Sequence, residues 1–355
     1  MPRMAGSAGA SESCFSEVEG PVLVTGANGL VGRALCERLV SNGVSTVGLL
    51  RRRRAAEELE RTRVRCVVAD DWTDAVLAEA LEGCRAVLHC AASTSRSHGN
   101  RREVEAMNVA FPSRLLRAAG RHGVRRFVHC STTGVHGPLR RWPATEEAAL
   151  RPDSRYRRSK LAGERRLRRV EAEGGDALPE LVVARLTSLA GKRMGTWNSL
   201  VASVREGRVN LVGGGRNVTH VSDLDDVCQG LALCAARPRA AGRTYFLGGD
   251  EFGTQRDLLE RVSRALGQRS LRFRSIPSWP LSPLSEASLR LWSAFAWEPA
   301  LLHRLSFLCA NRAYSMRRAV DELGFRPRAG LDEVAASMVE AWRRSTEGEA
   351  IGNTA

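Results

Sequence analysis

Two rhythms alternate along the chain. Short strand-like stretches, mostly apolar though Arg63–Ala69 and Val124–Ser131 carry arginines, occur at Val22–Val24, Val44–Leu50, Arg63–Ala69, Ala86–Ala92, Val124–Ser131, Leu181–Leu186 and Thr244–Leu247. Between them lie longer stretches in which apolar positions return every three or four residues, including 33–40, 73–81, 103–119, the run from Tyr156, 197–206, 224–236, 254–266, 316–323 and 331–343. The first pattern is that of strands buried on both faces and the second that of amphipathic helices. The gaps between strands are too long for hairpins. The alternation therefore predicts an α/β fold with a doubly wound parallel sheet, whose ligands bind at the carboxyl ends of its strands. Ser222 and Asp225 have the spacing of a capping box for the helix that follows. The pattern divides the chain into loose tails at 1–20 and 346–355, a nucleotide-binding domain at 21–190 and a smaller C-terminal α/β substrate domain at 191–345. Residues 215–250 partly return to the first domain.

The first strand runs straight into Thr25-Gly26-Ala-Asn28-Gly29-Leu30-Val31-Gly32 and then into an amphipathic run. Strand, glycine turn and helix in that order aim free backbone N–H groups and the positive end of a helix dipole at one point, where a pyrophosphate can sit. Gly26 suits backbone angles closed to other residues. Gly29 lets the main chain approach a phosphate, and Gly32 lets helix pack on strand. Asn28, Leu30 and Val31 complete the candidate phosphate-binding turn.

The end of the second strand selects between cofactors. An acid there would bind the adenosine ribose 2′-hydroxyl, whereas arginine accommodates a 2′-phosphate. Leu50 is followed by Arg51 to Arg54, and guanidinium binds a phosphate dianion bidentately. NADP(H) is therefore favoured over NAD(H), although the four arginines also suit the opening of a solvated helix. Asp70 or Asp71, after the third strand, is placed to meet adenine or to cap the next helix. Ala91 and Ala92 give a ligand close approach at the end of the fourth strand, in which His89 reads as a packed core residue.

Tyr156 and Lys160 lie four apart at the start of a helical run and so share a face. An ammonium beside a phenol favours phenolate, and a general acid/base must be poised in this way to move a hydroxyl proton near neutral pH. The chain has three tyrosines and, among 54 basic residues, only two lysines, Lys160 and Lys192. A lysine kept here in an arginine-saturated chain points to a compact ammonium serving ribose hydroxyls.

Charge changes this picture little. The net charge of +15 is spread along the chain without a nucleic-acid motif, so no nucleic-acid partner is expected. Nine scattered cysteines without a C-x-x-C argue for reduced thiols in the cytoplasm and against a metal site. Residues 1–20 lack a signal-peptide pattern, and no apolar run is long enough to span a bilayer. Residues 276–310, rich in Trp and Leu, read as packed helices, as an apolar substrate cap or as a peripheral membrane contact.

TGANGLVG, AVLHCAA, MNVA, VHCSTTGVHG, YRRSK, the ARL at Arg185, NVTHVSDL and GFRP together span nearly all of 21–345. On these residues the chain resembles the extended short-chain dehydrogenase/reductases of the epimerase–dehydratase group, and within it the 3β-hydroxysteroid dehydrogenase-like and dihydroflavonol reductase-like members. The resemblance implies a Rossmann domain and NAD(P) chemistry. Tyr156 would be the proton donor and acceptor, and Lys160 would hold the nicotinamide ribose. Thr132 or Ser131 would bond the substrate oxygen, and Asn108 would serve as a structural and relay partner. Ala91, Ala92, Leu186 and Ser188 would lie along the cofactor. It further implies a homodimer through the helices of Asn108 and Tyr156. The expected activity is hydride transfer between nicotinamide and a secondary alcohol or ketone of a small apolar substrate. A nucleotide-sugar epimerase or dehydratase that retains its cofactor is the alternative, and a non-catalytic cofactor-sensing or RNA-binding protein is a second. His136, where sugar epimerases usually carry Tyr, and Leu186, where they carry Pro, weaken the sugar reading.

Overall fold

A computed structural model describes residues 14–93, 101–277 and 309–352. The first half winds as β1 (Val22–Thr25), α1 (Leu30–Ser41), β2 (Thr46–Leu50), α2 (Arg53–Glu60), β3 (Arg65–Val68), α3 (Asp74–Leu81) and β4 (Ala86–His89). It continues through α4 (Arg101–Glu105), a π-helical turn at Ala106–Ala110, α5 (Phe111–Arg121), β5 (Arg126–Thr132), α6 (Arg155–Gly174) and β6 (Glu180–Leu186). With β11 (Thr244–Leu247), these strands form one sheet in the order β3-β2-β1-β4-β5-β6-β11. Every pair in it is parallel. Apart from the edge strand β3, where only Val67 is buried, the strands are almost wholly buried because helices cover both faces. The strand order reverses beside β1, and sheets of this kind take ligands in a crevice outside the carboxyl ends of the strands at that switch point, here β1 and β4.

Two apolar layers flank the sheet. Leu35, Leu39, Val128, Leu231 and Phe246 lie in one, and Leu23, Leu77, Leu115, Phe127 and Leu181 in the other. The remaining elements are β7 (Ser188–Ala190), α7 (Asn198–Arg205), β8 (Val209–Val212), β9 (Val218–Thr219), β10 (Val221–Asp223), α8 (Leu224–Ala236), β12 (Gly253–Thr254), α9 (Gln255–Ala265), β13 (Phe273–Ile276), α10 (Arg317–Leu323) and α11 (Leu331–Gly352). Part of this set builds a third core from Val201, Leu211, Leu258, Val262, Val334 and Met338. Its strands join only in pairs, β7 with β10, β8 with β13 and β9 with β12.

The tails are shorter than the pattern suggests. Cys14, Phe15 and Val18 are buried in the first apolar layer, and Glu17 and Glu19 pair with Arg237 and Arg125 at 3.0 Å each. At the other end α11 runs on to Gly352 through Gly348, there being no proline after Arg343 to stop it. Asp223, not Ser222, caps α8, accepting from the Asp225 N–H. The Ser222 hydroxyl is engaged instead with Thr187 Oγ1 at 2.7 Å and the Gly249 N–H at 2.7 Å. Thr73, not Asp70 or Asp71, caps α3. The helical stretch expected at 103–119 is interrupted by the π turn, which turns Asn108 inward. Most of the Trp- and Leu-rich stretch, 278–308, lies outside the described residues.

Candidate active site

At the glycine bend, Gly26 has φ +66°, and a Cβ there would meet the Ala91 backbone at 2.8 Å. A Cβ on Gly32 would come within 2.2 Å of the Gly26 carbonyl oxygen, the same oxygen that accepts the Gly29 N–H at 2.8 Å. Only glycine therefore closes the bend. Gly29 caps α1 through its backbone alone, and the first turn holds no acid. The N–H groups of Leu30, Val31 and Gly32 are left without helical partners at the positive end of a dipole. Asn28, Gly29 and Leu30 are exposed there. This cradle fits a dinucleotide pyrophosphate.

Arg51 and Arg52 are exposed at the carboxyl end of β2 and make no ion pair among the described residues, while Arg53 reaches Glu60 at 3.5 Å. The helix they lead into, α2, has no acid in its first turn. Asp70 and Asp71 are exposed at the end of the neighbouring β3. On the other side of the switch point, Ala91 is buried against Gly26 and donates its N–H to Thr25 Oγ1 at 3.3 Å, and Ala92 is exposed. Leu186 ends β6 buried, its carbonyl accepting from Thr133 Oγ1 at 3.2 Å, and Ser188 opens β7 half-buried.

Ser154 caps α6, accepting from the Arg157 N–H at 3.3 Å, which puts Tyr156 in the first turn and Lys160 one turn on. Lys160 is 2 % exposed, yet its ammonium makes no hydrogen bond or ion pair among the described residues. A buried ammonium without a partner is costly, and a ribose diol is a ligand that would satisfy it. Burial lowers its pKa, against the opposing pull of Cys130, Glu164 and Cys90. Beside it stack the imidazoles of His89 and His129, 5.3 Å apart, both held neutral by burial and by the Lys160 charge. His89 is indeed a core residue, hydrogen-bonded to Thr25 Oγ1 at 2.7 Å.

The Tyr156 phenol does not show the lowering expected from its lysine. Burial pushes it up to about 12, with Cys130 adding to the rise and the Arg157 guanidinium opposing it. In the protein alone, desolvation outweighs the Arg157 guanidinium, and the phenol is the protonated partner.

The hydroxyls at the end of β5 divide cleanly. Ser131 is buried and donates to the Glu164 carboxylate. Glu164 is held by Arg185 at 2.7 Å in a buried ion pair, and Arg185 reaches His136 Nε2 at 3.1 Å. This network ties β5, α6 and β6 together, and burial beside Arg185 lowers the His136 pKa to about 4. Thr132 is half-buried, and its Oγ1 accepts only the Gly134 N–H at 3.1 Å among the described residues. That leaves its hydroxyl proton free to donate. Ser131 is thus taken up internally, while Thr132 faces the crevice end of the strand.

Asn108 is 1 % exposed and its amide is fully used. It accepts from the Ser93 N–H at 2.8 Å and donates to the Ser93 carbonyl and to Ser159 Oγ at 2.9 Å each. Ser159 in turn donates to the Tyr156 carbonyl at 2.7 Å. Asn108 therefore braces the β4 loop against the first turn of α6, and a Cβ on Gly163 would strike its carbonyl at 2.2 Å. Sequence reasoning missed the partners in both networks. Glu164 carried one readable signal, an acid one turn after Lys160 on the inward face of a helix. Ser93 and Ser159 carried none.

No helix among the described residues is long and apolar enough to cross a membrane, and they hold no metal-binding cluster. The model of the NAD-dependent epimerase/dehydratase family matches residues 22–248. A 4-hydroxy-2-methyl-3-oxo-4-farnesyl-3,4-dihydroquinoline-1-oxide ketoreductase of Stigmatella aurantiaca is 28% identical over 321 residues, 87% of this chain and 94% of its own length. A dTDP-glucose 4,6-dehydratase of Actinoplanes is 27% identical over 353 residues, 91% of this chain and 98% of its own. Among solved structures, a short-chain dehydrogenase/reductase superfamily protein of Agrobacterium tumefaciens with bound NAD superposes with a TM-score of 0.69 at 25% identity, covering 93% of this chain and 99% of that one.

Proposed function

Because this chain belongs to the NAD-dependent epimerase/dehydratase family, we propose that it is an NAD(P)-dependent oxidoreductase acting on a secondary alcohol or ketone of a small, largely apolar substrate. One observation carries the reading: the buried, unpartnered ammonium of Lys160 one turn after Tyr156. When bound, the nicotinamide supplies or accepts the hydride. The N–H groups of Leu30, Val31 and Gly32 hold the pyrophosphate, and Lys160 donates to the ribose hydroxyls. Tyr156, protonated in the protein alone, gives its proton to the carbonyl oxygen in the reducing direction and takes one back in the other. Thr132 donates to the same oxygen and fixes the carbonyl in place. Asn108 positions the turn that carries Tyr156.

Arg51 and Arg52 support NADP(H) over NAD(H), since an arginine-rich helix start without an acid in its first turn gains from a bound phosphate. Asp70 and Asp71 remain assigned to the adenine end, and residues 191–345 mainly to the substrate. The free thiols of all nine cysteines support a cytoplasmic setting. The homodimer implied by the resemblance would use the outer face of α6. Arg158, Arg165, Arg166 and Arg169 rim a groove of about 610 Å³ there, so a symmetric pairing has to offset like charges.

The test is the absorbance of reduced nicotinamide on mixing the purified chain with NADPH or NADH and a panel of apolar ketones. Consumption is expected, faster with NADPH, and Tyr156→Phe should reduce it by about 10²–10⁴-fold while still binding cofactor. No consumption with any ketone, or an unimpaired Tyr156→Phe, defeats the reading. The similarity to the dehydratase supports a second reading, sugar-nucleotide dehydration or epimerisation. Cofactor that stays with the protein through purification and shows no net redox selects it.

A further inference from the structure

β4 and β5 are parallel neighbours whose last common register pair is His89 with His129. Cys130 follows on β5 and Cys90 follows the end of β4, and their sulfurs lie 3.4 Å apart, one thiol hydrogen-bonded to the other. Cys130 is buried and Cys90 half-buried. The residues that follow are Ala91 and Ala92 on one strand and Ser131 and Thr132 on the other, so the thiol pair lies directly beneath the crevice. Neither sulfur contributes to the chemistry proposed above.

We propose that Cys90 and Cys130 are an oxidation site: a hydroperoxide closes them into a reversible disulfide, and closure disables the crevice above. One sulfur attacks the peroxide O–O bond to give a sulfenic acid and release an alcohol, or water when the oxidant is hydrogen peroxide. The second sulfur then attacks the first and expels water. In sum, two thiols and one hydroperoxide give one disulfide, one alcohol and one water, the sulfurs being oxidised and the peroxide reduced.

Adjacent strands lie about 4.7–4.9 Å apart, within the roughly 4.4–6.8 Å span of Cα atoms that a disulfide bridges. The two sulfurs, 3.4 Å apart, must however come to the roughly 2.03–2.05 Å of the bond. Closing it must draw the two strand ends together. A bond made under such strain is easily reduced again, which suits a reversible modification rather than a structural crosslink. The hydrogen bond with Cys130 raises the Cys90 pKa, with burial and the neighbouring Cys130, Cys228 and Cys36 adding to the rise, so thiolate is scarce at neutral pH and closure should quicken as pH rises. The movement falls on Ala91, Ala92, Ser131 and Thr132. The loss of activity therefore rests on the reading under Proposed function, whereas the crosslink itself does not.

The test takes the full chain, fully reduced, through graded hydrogen peroxide, then alkylation and trypsin without reductant. Mass spectrometry should find the peptides 86–96 and 127–140 joined, with the loss of two hydrogens, and joined faster at pH 8.5 than at pH 7. Ketone reduction should fall at least tenfold in step with the joined fraction and return with a phosphine reductant. Cys90→Ser should lose the joined peptides and resist peroxide; if it folds poorly, Cys130→Ser makes the same test. If the two cysteines are found separately alkylated, or oxidised to sulfinic acid without joining, the site is overturned. Joined peptides at unchanged activity overturn the disabling effect. A chain without reductase activity still reports the crosslink by mass, so the two failures are distinguishable.

Discussion

The glycine bend and the Glu164 network lie at the two ends of one site and are built in opposite ways. The bend is local. Its eight residues are contiguous, its ligand groups are backbone N–H groups, and its tolerances are set by the missing Cβ atoms of Gly26 and Gly32. The network is long-range. It joins Ser131, Glu164, Arg185 and His136 from β5, the turn after it, α6 and β6. Two of its members carry charge that burial would otherwise penalise. A site can thus take its cofactor on geometry written in one stretch of chain and still depend, for the rigidity of its catalytic helix, on partners that only the fold assembles.

Acid should break the buried side of this comparison first. Burial holds His136 and His220 at about 4 and His89 at about 3, against an ordinary value of 6.5. Above pH 6.5 these rings are neutral in both folded and unfolded chains, and their full contribution is present. As pH falls from there toward 4, the unfolded chain takes up protons that the buried rings refuse, and stability drops by about several kcal/mol in total. Asp226, raised by burial to about 6, and Asp223, also raised by burial, have the opposite sign and add stability over part of the same range, but they are two carboxyls against four rings, since His129 is lowered by burial too. Urea denaturation at pH 7.5, 6 and 5 should show a falling midpoint; a flat profile contradicts the buried neutral rings.

Glu164→Leu should cost about 3–5 kcal/mol by stranding Arg185, whereas replacing both partners by apolar residues should recover much of it; a double-mutant cycle by thermal unfolding checks both. Gly32→Ala should cost about 1–3 kcal/mol from overpacking against Gly26 and weaken cofactor binding in a fluorescence titration, unlike Glu164→Leu, whose effect should be mainly on stability. The smallest contrast is at α3: Thr73→Ala should cost about 1 kcal/mol as the true cap, and Asp71→Ala less than about 0.5 kcal/mol. Equal losses at Thr73 and Asp71 would reinstate Asp71 as the cap.

Much of this was legible in advance because it is local. Most strands of the main sheet are short, largely apolar stretches, Thr25 to Gly32 reads as strand, bend and helix, and Tyr156 and Lys160 share a helical face at fixed spacing. What misled was also local: Asp70-Asp71 and Ser222 have cap-forming side chains, but which one caps depends on the backbone angle at which the chain enters the helix. A pull of Lys160 on Tyr156 was expected from proximity alone, whereas burial, which spacing does not reveal, is what moves the phenol, and moves it upward.

By itself, the order of residues settled the parallel sheet, the tight glycine bend and the placing of Tyr156 and Lys160 one turn apart on a helix, since each follows from periodicity or from steric limits acting within a few residues. Tertiary packing alone decided that Ser131 is spent on Glu164 while Thr132 keeps a free proton, that Asn108 braces Ser93 to Ser159, and that Cys90 meets Cys130. Those outcomes depend on which side chains from distant strands and helices arrive at the same few ångströms and on how much water is left between them.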